Sequence, residues 1–234
     1  MRKEIFIKRN PDFPIDKGFF QVIAFDVDGT LAETDEYYID AVFRVIRPVL
    51  FWLSERSVKK VIRKCVMTAE TLTSLLYFFA DRLQIDFLFS KLHNRMAGKG
   101  SEYRYALMEN AVPVLLRLSE KYRLAVVTAG GEKSTDAFLK RIGIADLFEV
   151  VVTSQTCRYT KPSGMPLRYV AQQMNVPADR CLMVGDTIFD LGTAKHAHAS
   201  FIAVRSGLDS EWLLRLFGAK IILDSVADLP DILL

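Results

Sequence analysis

Two aspartates placed two positions apart, Asp26 and Asp28, end the apolar run Gln21-Val22-Ile23-Ala24-Phe25 and are followed by Gly29 and Thr30. Residues two apart in extended chain project to the same side, so both carboxylates face one small volume. Their mutual repulsion favours either a bound cation or a retained proton. A divalent metal site or acid/base chemistry is the expectation. Asp28-Gly29 could instead be a hairpin turn between alternating apolar strands. The stretch Leu31 to Tyr38 does not alternate, however, and reads as the polar start of a helix. A calcium loop fails on spacing, because its glycine belongs at the sixth position and a helix should precede it.

Three further segments carry residues of the same kind. Thr128-Ala129-Gly130-Gly131 offers a hydroxyl and glycine-backed amides able to cradle a phosphate, or an ordinary turn with a helix cap. Thr160-Lys161-Pro162 offers a cation, although a lysine in a turn is more often simply exposed. Gly185-Asp186-Thr187-Ile188-Phe189-Asp190 offers two more carboxylates. A capping box between Thr187 and Asp190 accounts for those two residues and leaves Asp186 without a role.

The elements that must position these groups follow from hydrophobic periodicity. Val22 to Phe25 reads as a buried strand. After Tyr105 helices and strands alternate. A helix begins at Pro113, and a strand runs from Arg123 to Thr128. A helix spans Ser134 to Ile142 and stops at Gly143, and a strand follows from Glu149 to Thr153. Next come a helix near Pro166 and a strand from Cys181 to Gly185. The chain then reads as helix over Ile188 to His196, strand over Phe201 to Val204, helix over Trp212 to Phe217 and a last strand over Ile221 to Leu223. Such alternation predicts right-handed βαβ crossovers and an α/β fold, a doubly wound parallel-sheet (Rossmann-like) core. Each of the four polar segments then sits at the exit of a strand, where ligands of such sheets converge. Ala32 to Tyr105 has almost no glycine and repeated helical spacing, so it reads as an inserted helical domain. The expected division is an N-terminal extension over 1-17, a core over 18-31 and 106-234, and a helical cap over 32-105. Within the cap, Val58, Val61, Ile62, Cys65 and Val66 share one apolar helix face. Arg56, Lys59, Lys60, Arg63 and Lys64 share the other, which reads as a solvated stripe or a phosphate-steering surface.

Bulk properties exclude several classes. The 234 residues are 50% hydrophobic and 25% charged, with a net charge of +3, which is ordinary globular composition without repeats. That charge suits an anionic substrate and does not by itself indicate nucleic acid. Three scattered cysteines, Cys65, Cys157 and Cys181, make neither a disulfide framework nor a zinc knuckle. They fit a reducing, cytoplasmic location. No segment approaches the roughly 18 uncharged apolar residues of a membrane span. His196 and His198 are two apart after a helix, a spacing with no shared face, so they do not read as a metal pair. His93 stands alone, and Phe78 and Phe79 read as cap packing.

With an acid pair, a hydroxyl, a lysine and a second acid pair at successive strand exits, the chain resembles the haloacid dehalogenase superfamily. The match rests on Asp26-Val27-Asp28-Gly29-Thr30, Thr128, Lys161-Pro162 and Gly185-Asp186-x-x-x-Asp190 in the expected order. The inserted helices resemble in position and type the helical cap of its phosphoglycolate phosphatase-like branch. The resemblance implies Asp26 as nucleophile and Asp28 as general acid/base. It implies Mg2+ held by Asp26, the backbone carbonyl of Asp28, and Asp186. Thr128 and Lys161 would hold the phosphoryl oxygens with help from the amides around Ala129 and Gly130, and Asp190 would orient water or Lys161. True dehalogenases lack the equivalent of Asp28, so a phosphatase acting on a small phosphorylated metabolite through an aspartyl-phosphate is implied. Phosphoglycolate, a sugar phosphate or a nucleotide would fit. Thr128-Ala129 departs from the Thr-Asn of several branch members, and His198 from a small Gly, which loosens the inference about substrate. A phosphomutase or phosphotransferase of the same superfamily is the enzymatic alternative, and a non-catalytic binding protein of the same fold the other. A monomer or homodimer, without membrane or nucleic-acid partners, is expected.

Overall fold

In the computed structural model, residues 18–33, 43–48, 53–59, 61–62, 106–207 and 209–234 are described. The first strand, β1 (Val22–Phe25), is fully buried, and its side chains divide by parity. Ile23 and Phe25 enter one core cluster and Val22 and Ala24 the other. The neighbouring strands β4 (Arg123–Val127) and β6 (Cys181–Gly185) divide in the same way. Alternation thus serves two apolar faces, which is why these strands read as continuous hydrophobic runs.

The remaining elements are β2 (Ala32–Glu33), β3 (Ala106–Leu107), α1 (Ala111–Ser119), α2 (Glu132–Ile142), β5 (Phe148–Val152), α3 (Met165–Gln173), α4 (Ile188–Ala197), β7 (Ser200–Val204), α5 (Glu211–Leu216), β8 (Ile222–Leu223) and α6 (Leu229–Leu233). Six parallel strands lie in the order β5-β4-β1-β6-β7-β8. Buried residues of α1, α2 and α6 cover one face, and those of α3 and α4 the other. The order runs outward from β1 to β5 and then resumes on β1's other side with β6. β1 is therefore the switch point at which doubly wound sheets bind ligands. The expected α/β, doubly wound, Rossmann-like core is the fold observed.

Several expectations change in detail. Ala32 and Glu33 do not start a helix; as β2 they pair antiparallel with β3. Met108 N–H donates to Leu31 O at 2.8 Å, so the chain is stitched together where it leaves and rejoins the core. Ala32–Glu33, two residues outside any apolar run, has no periodicity to read. The first core helix starts at Ala111, not Pro113, after a left-handed Asn110. The short α6 had no sequence signal either, yet it buries Leu229, Ile232 and Leu233. In the inserted segment, helical residues 43–46, 55–59 and 61–62 bring together Phe43, Val58 and Ile62. Val61 leaves that face at 62% exposure, because it is turned about 100° from Ile62 on the helix. Lys59 pairs with Glu55 at 2.6 Å and Arg56 is exposed, as a solvated stripe would be. Cys65, Val66, Lys60, Arg63, Lys64, Phe78, Phe79 and His93 lie outside the described residues, as does the 1-17 extension. Among the described residues no helix is long and apolar enough to cross a membrane.

Candidate active site

β1 delivers Asp26 to the sheet's carboxyl edge. Its amide continues the pairing with β6, donating to Val184 O at 2.9 Å. The chain then folds over itself. The amides of Thr30, Leu31 and Ala32 converge on Val27 O, and Gly29 N–H reaches Ala32 O at 3.0 Å. Gly29 lies at φ 76°, a left-handed conformation that glycine adopts without strain. Asp28-Gly29 is therefore a turn after all. It bends the chain across the strand end rather than returning a hairpin, so turn and site coexist. Asp26 is buried and Asp28 half-buried.

At the exit of β4, Thr128 is 3% exposed, and its Oγ1 accepts the Gly130 N–H at 3.0 Å. Its own hydroxyl proton remains available as a donor. Gly130's amide is spent on that hydroxyl, and Gly130 O accepts both the amide and hydroxyl of Ser154, at 3.0 and 3.1 Å. The loop after β5 brings in Lys161. It is not a surface lysine: it is 8% exposed, with Nζ 2.7 Å from Asp26 Oδ1 and 2.6 Å from Asp190 Oδ1. Asp26 Oδ1 also accepts the Val27 amide at 2.7 Å.

At the exit of β6, Asp186 is fully buried and accepts from Thr30 Oγ1 at 2.9 Å. A Cβ on Gly29 or Gly207 would strike its carboxylate. Asp190 has two duties. Its Oδ2 accepts the Thr187 amide at 3.1 Å and the Thr187 hydroxyl at 2.6 Å, closing the capping box of α4, while Oδ1 holds Lys161. One carboxylate thereby serves the helix cap and the lysine together. Asp26, Asp186 and Asp190 each present an oxygen within 4.8 Å of the others. Asp190's carboxylate is thus in the cluster and not merely behind it, and Asp28's side chain is outside it.

Electrostatics follow from one ammonium paired with two of three clustered, buried carboxylates. Burial pushes the Asp26 carboxyl up to about 8, the charges of Asp190 and Asp28 add to that, and Lys161 opposes it. Burial works against the Lys161 ammonium, but Asp190 and Asp26 outweigh it and raise its pKa. The two shifts pull in opposite senses on one ion pair. Lys161 remains charged, and the surplus is negative charge, which Asp26 relieves by holding a proton more readily than an exposed carboxyl. Such a surplus of hard oxygen donors is chemistry that fits a divalent cation such as Mg2+.

Sequence reading assigned no role to Thr30, Ser154, Ser206, Gly207 or Asp209. Ser206 Oγ donates to Gly29 O at 2.8 Å, and Asp209 Oδ2 accepts the Ile188 amide at 2.7 Å. Burial raises the Asp209 carboxyl to about 6, against the Ile188 hydrogen bond. The signal was available. The polar run following Val204 is one more exit of the same sheet, alongside those after β1, β4, β5 and β6. His196 and His198 have structural duties: His196 Nδ1 lies 2.9 Å from Pro162 O, and His198, at φ 60°, ends α4.

The family model for haloacid dehalogenase-like hydrolases matches residues 23–204. A phosphoglycolate phosphatase of Rhodospirillum rubrum is 37% identical over 109 residues, 47% of this chain and 45% of that protein. One from Nitrosococcus oceani is 28% identical over 115 residues, covering 49% and 51%. The chain spans about half the length of these first relatives. A plasmid-encoded phosphoglycolate phosphatase of Cupriavidus necator aligns over 90% of this chain and 92% of its own length at 25% identity. Among solved structures, a HAD-superfamily hydrolase of Geobacter sulfurreducens superposes with a TM-score of 0.60 at 18% identity, covering 94% of this chain and 100% of that one. A haloacid dehalogenase-like family protein of Streptococcus pneumoniae gives 0.61 at 19% identity, covering 92% and 98%. These structures share the fold. The matched segment runs from within β1 to the end of β7 and contains every strand exit that builds the acidic cluster, and on that extent of agreement the chain belongs to the haloacid dehalogenase-like hydrolase family.

Proposed function

We propose that the chain is a Mg2+-dependent phosphatase of small phosphomonoesters in which Asp26 is the nucleophile. The observation that carries this reading is Lys161 Nζ bridging Asp26 and Asp190 inside a buried cluster that also contains Asp186. Two donors on Asp26 Oδ1, Lys161 and the Val27 amide, leave Oδ2 as the attacking oxygen. Its bond to phosphorus forms as the bond from phosphorus to the ester oxygen breaks, and Asp28 gives that oxygen its proton. Asp28 then takes a proton from water, whose oxygen attacks phosphorus, releasing phosphate and restoring Asp26. The Thr128 hydroxyl and the Lys161 ammonium hold the phosphoryl oxygens throughout. Asp26, Asp186 and the backbone carbonyl of Asp28 would hold Mg2+, which when bound neutralises the repulsion between nucleophile and phosphate.

The names of the relatives make phosphoglycolate the first substrate to test, with sugar phosphates and nucleotides beside it. The 32-105 insertion is proposed to close over the substrate and exclude water. Phosphate release across a panel of phosphorylated metabolites, with and without Mg2+, tests the reading. Asp26→Asn is expected to lower turnover by at least roughly 10³-fold with the fold intact, since it removes the group that forms the intermediate. Undiminished hydrolysis in that variant, or after complete chelation, contradicts it.

A further inference from the structure

The loop after β7 touches both acid-bearing segments at three points. Ser206 Oγ holds Gly29 O at 2.8 Å, Gly207 lies where any side chain would collide with the Asp186 carboxylate, and Asp209 Oδ2 accepts the Ile188 amide at 2.7 Å. Ile188 is the first residue of α4, and its N–H is one of the donors a helix start leaves unpaired. The capping box satisfies other groups, Thr187 N–H on Asp190 and Asp190 N–H on Thr187, so Asp209 supplies what the box does not. Asp209 is 4% exposed, and its loss would leave a buried amide without an acceptor.

We propose that Asp209 is a positioning residue for the acidic site, its carboxylate fixing the 186–190 turn so that Asp186 and the Asp190–Lys161 pair keep their places around Asp26. The turn holds Asp186 at one end and Asp190 at the other, with Ile188 between them. Asp209 acts as an acceptor oxygen, so an amide should replace it. Partners behind metal-binding groups typically contribute about 10- to 100-fold in affinity.

This inference rests on the metal-dependent reading above, and the test separates the two. Mg2+ binding is titrated calorimetrically without substrate for wild type, Asp209→Asn and Asp209→Leu, and amide exchange over 186–192 is followed in metal-free protein. Asp209→Leu is expected to weaken Mg2+ binding about 10-fold and to speed exchange in 186–192 but not in β4, while Asp209→Asn stays within about 3-fold of wild type. In turnover, the Mg2+ half-saturation rises and the substrate KM does not. Should Asp209→Leu not fold, Ser206→Ala, which cuts the tether to Gly29, is expected to weaken Mg2+ binding by about 3-fold with the fold retained. Equal loss in Asp209→Asn and Asp209→Leu overturns the acceptor role, and so does unchanged Mg2+ affinity in Ser206→Ala and whichever Asp209 variants fold. If wild type binds no Mg2+, the metal reading fails, and exchange over 186–192 decides Asp209 alone: protection lost only in Asp209→Leu upholds its role, and unaltered protection ends it.

Discussion

Lys161 shows how much one side chain's meaning depends on its partners. In the sequence it is a lysine in a proline-punctuated loop. In the structure it is the only cation within reach of Asp26 and Asp190 that the described residues provide, at 2.7 and 2.6 Å. Replacing it with methionine keeps most of the volume and removes the charge. Buried carboxylates left without a counter-charge cost about 3–5 kcal/mol, so Lys161→Met should unfold at clearly lower urea near neutral pH. The deficit should widen toward pH 9, because above about pH 8 Asp26 ionises beside Lys161 in the wild type but keeps its proton in the variant. Urea titrations at the two pH values measure this. The same variant should release no phosphate at a measurable rate. Asp26 itself was legible, because an apolar strand ending in Asp-x-Asp-Gly is a local pattern. Asp209 was not: a single aspartate in a polar loop has many ordinary explanations, and its amide partner is 21 residues back in the chain.

At the scale of elements, α4 is the one that joins stability to chemistry. Thr187 caps the helix, and the same capping box orients Asp190 toward Lys161. Thr187→Ala should cost about 1 kcal/mol as a lost helix cap. It should also lower kcat by about 10-fold, because Asp190 loses its 2.6 Å donor and with it a fixed orientation. Thermal unfolding and steady-state kinetics read the two effects separately, and a stability loss with unchanged kcat would confine Thr187 to capping. The longer strands and helices of the core were readable because each displays its period or a continuous apolar run, as in β4 and β6, and even the short β8 falls within the apolar run Ile221 to Leu223. β2, β3 and α6 were not readable. Two-residue strands and a five-residue helix exist through their contacts, such as the Leu31–Met108 hydrogen bond and the burial of Leu229, Ile232 and Leu233.

For the whole molecule, the acidic site is a cost that folding must carry. The Asp26 carboxyl sits near 3.8 in the unfolded chain and at about 8 in the folded one. Between those values the native state binds the extra proton, so stability falls as pH rises through that window and levels off above it. In the presence of chelator, global stability should therefore decline by a few kcal/mol from about pH 4 to about pH 8, and Asp26→Asn should flatten that slope. Denaturant midpoints across the range test it; a slope unaltered by the substitution would assign it to other groups. By itself the sequence determined the alternation of helix and strand, the doubly wound class and the identity of the groups at four strand exits, since periodicity and strand-end polarity are local properties. Tertiary structure decided which of those groups meet. It buried Lys161 between Asp26 and Asp190, drew Asp190 into the cluster beside Asp186, and brought Ser206, Gly207 and Asp209 behind them. The physical reason is that a parallel sheet gathers the ends of strands far apart in sequence, so charge balance and hydrogen-bond satisfaction there belong to the assembled edge and not to any one segment.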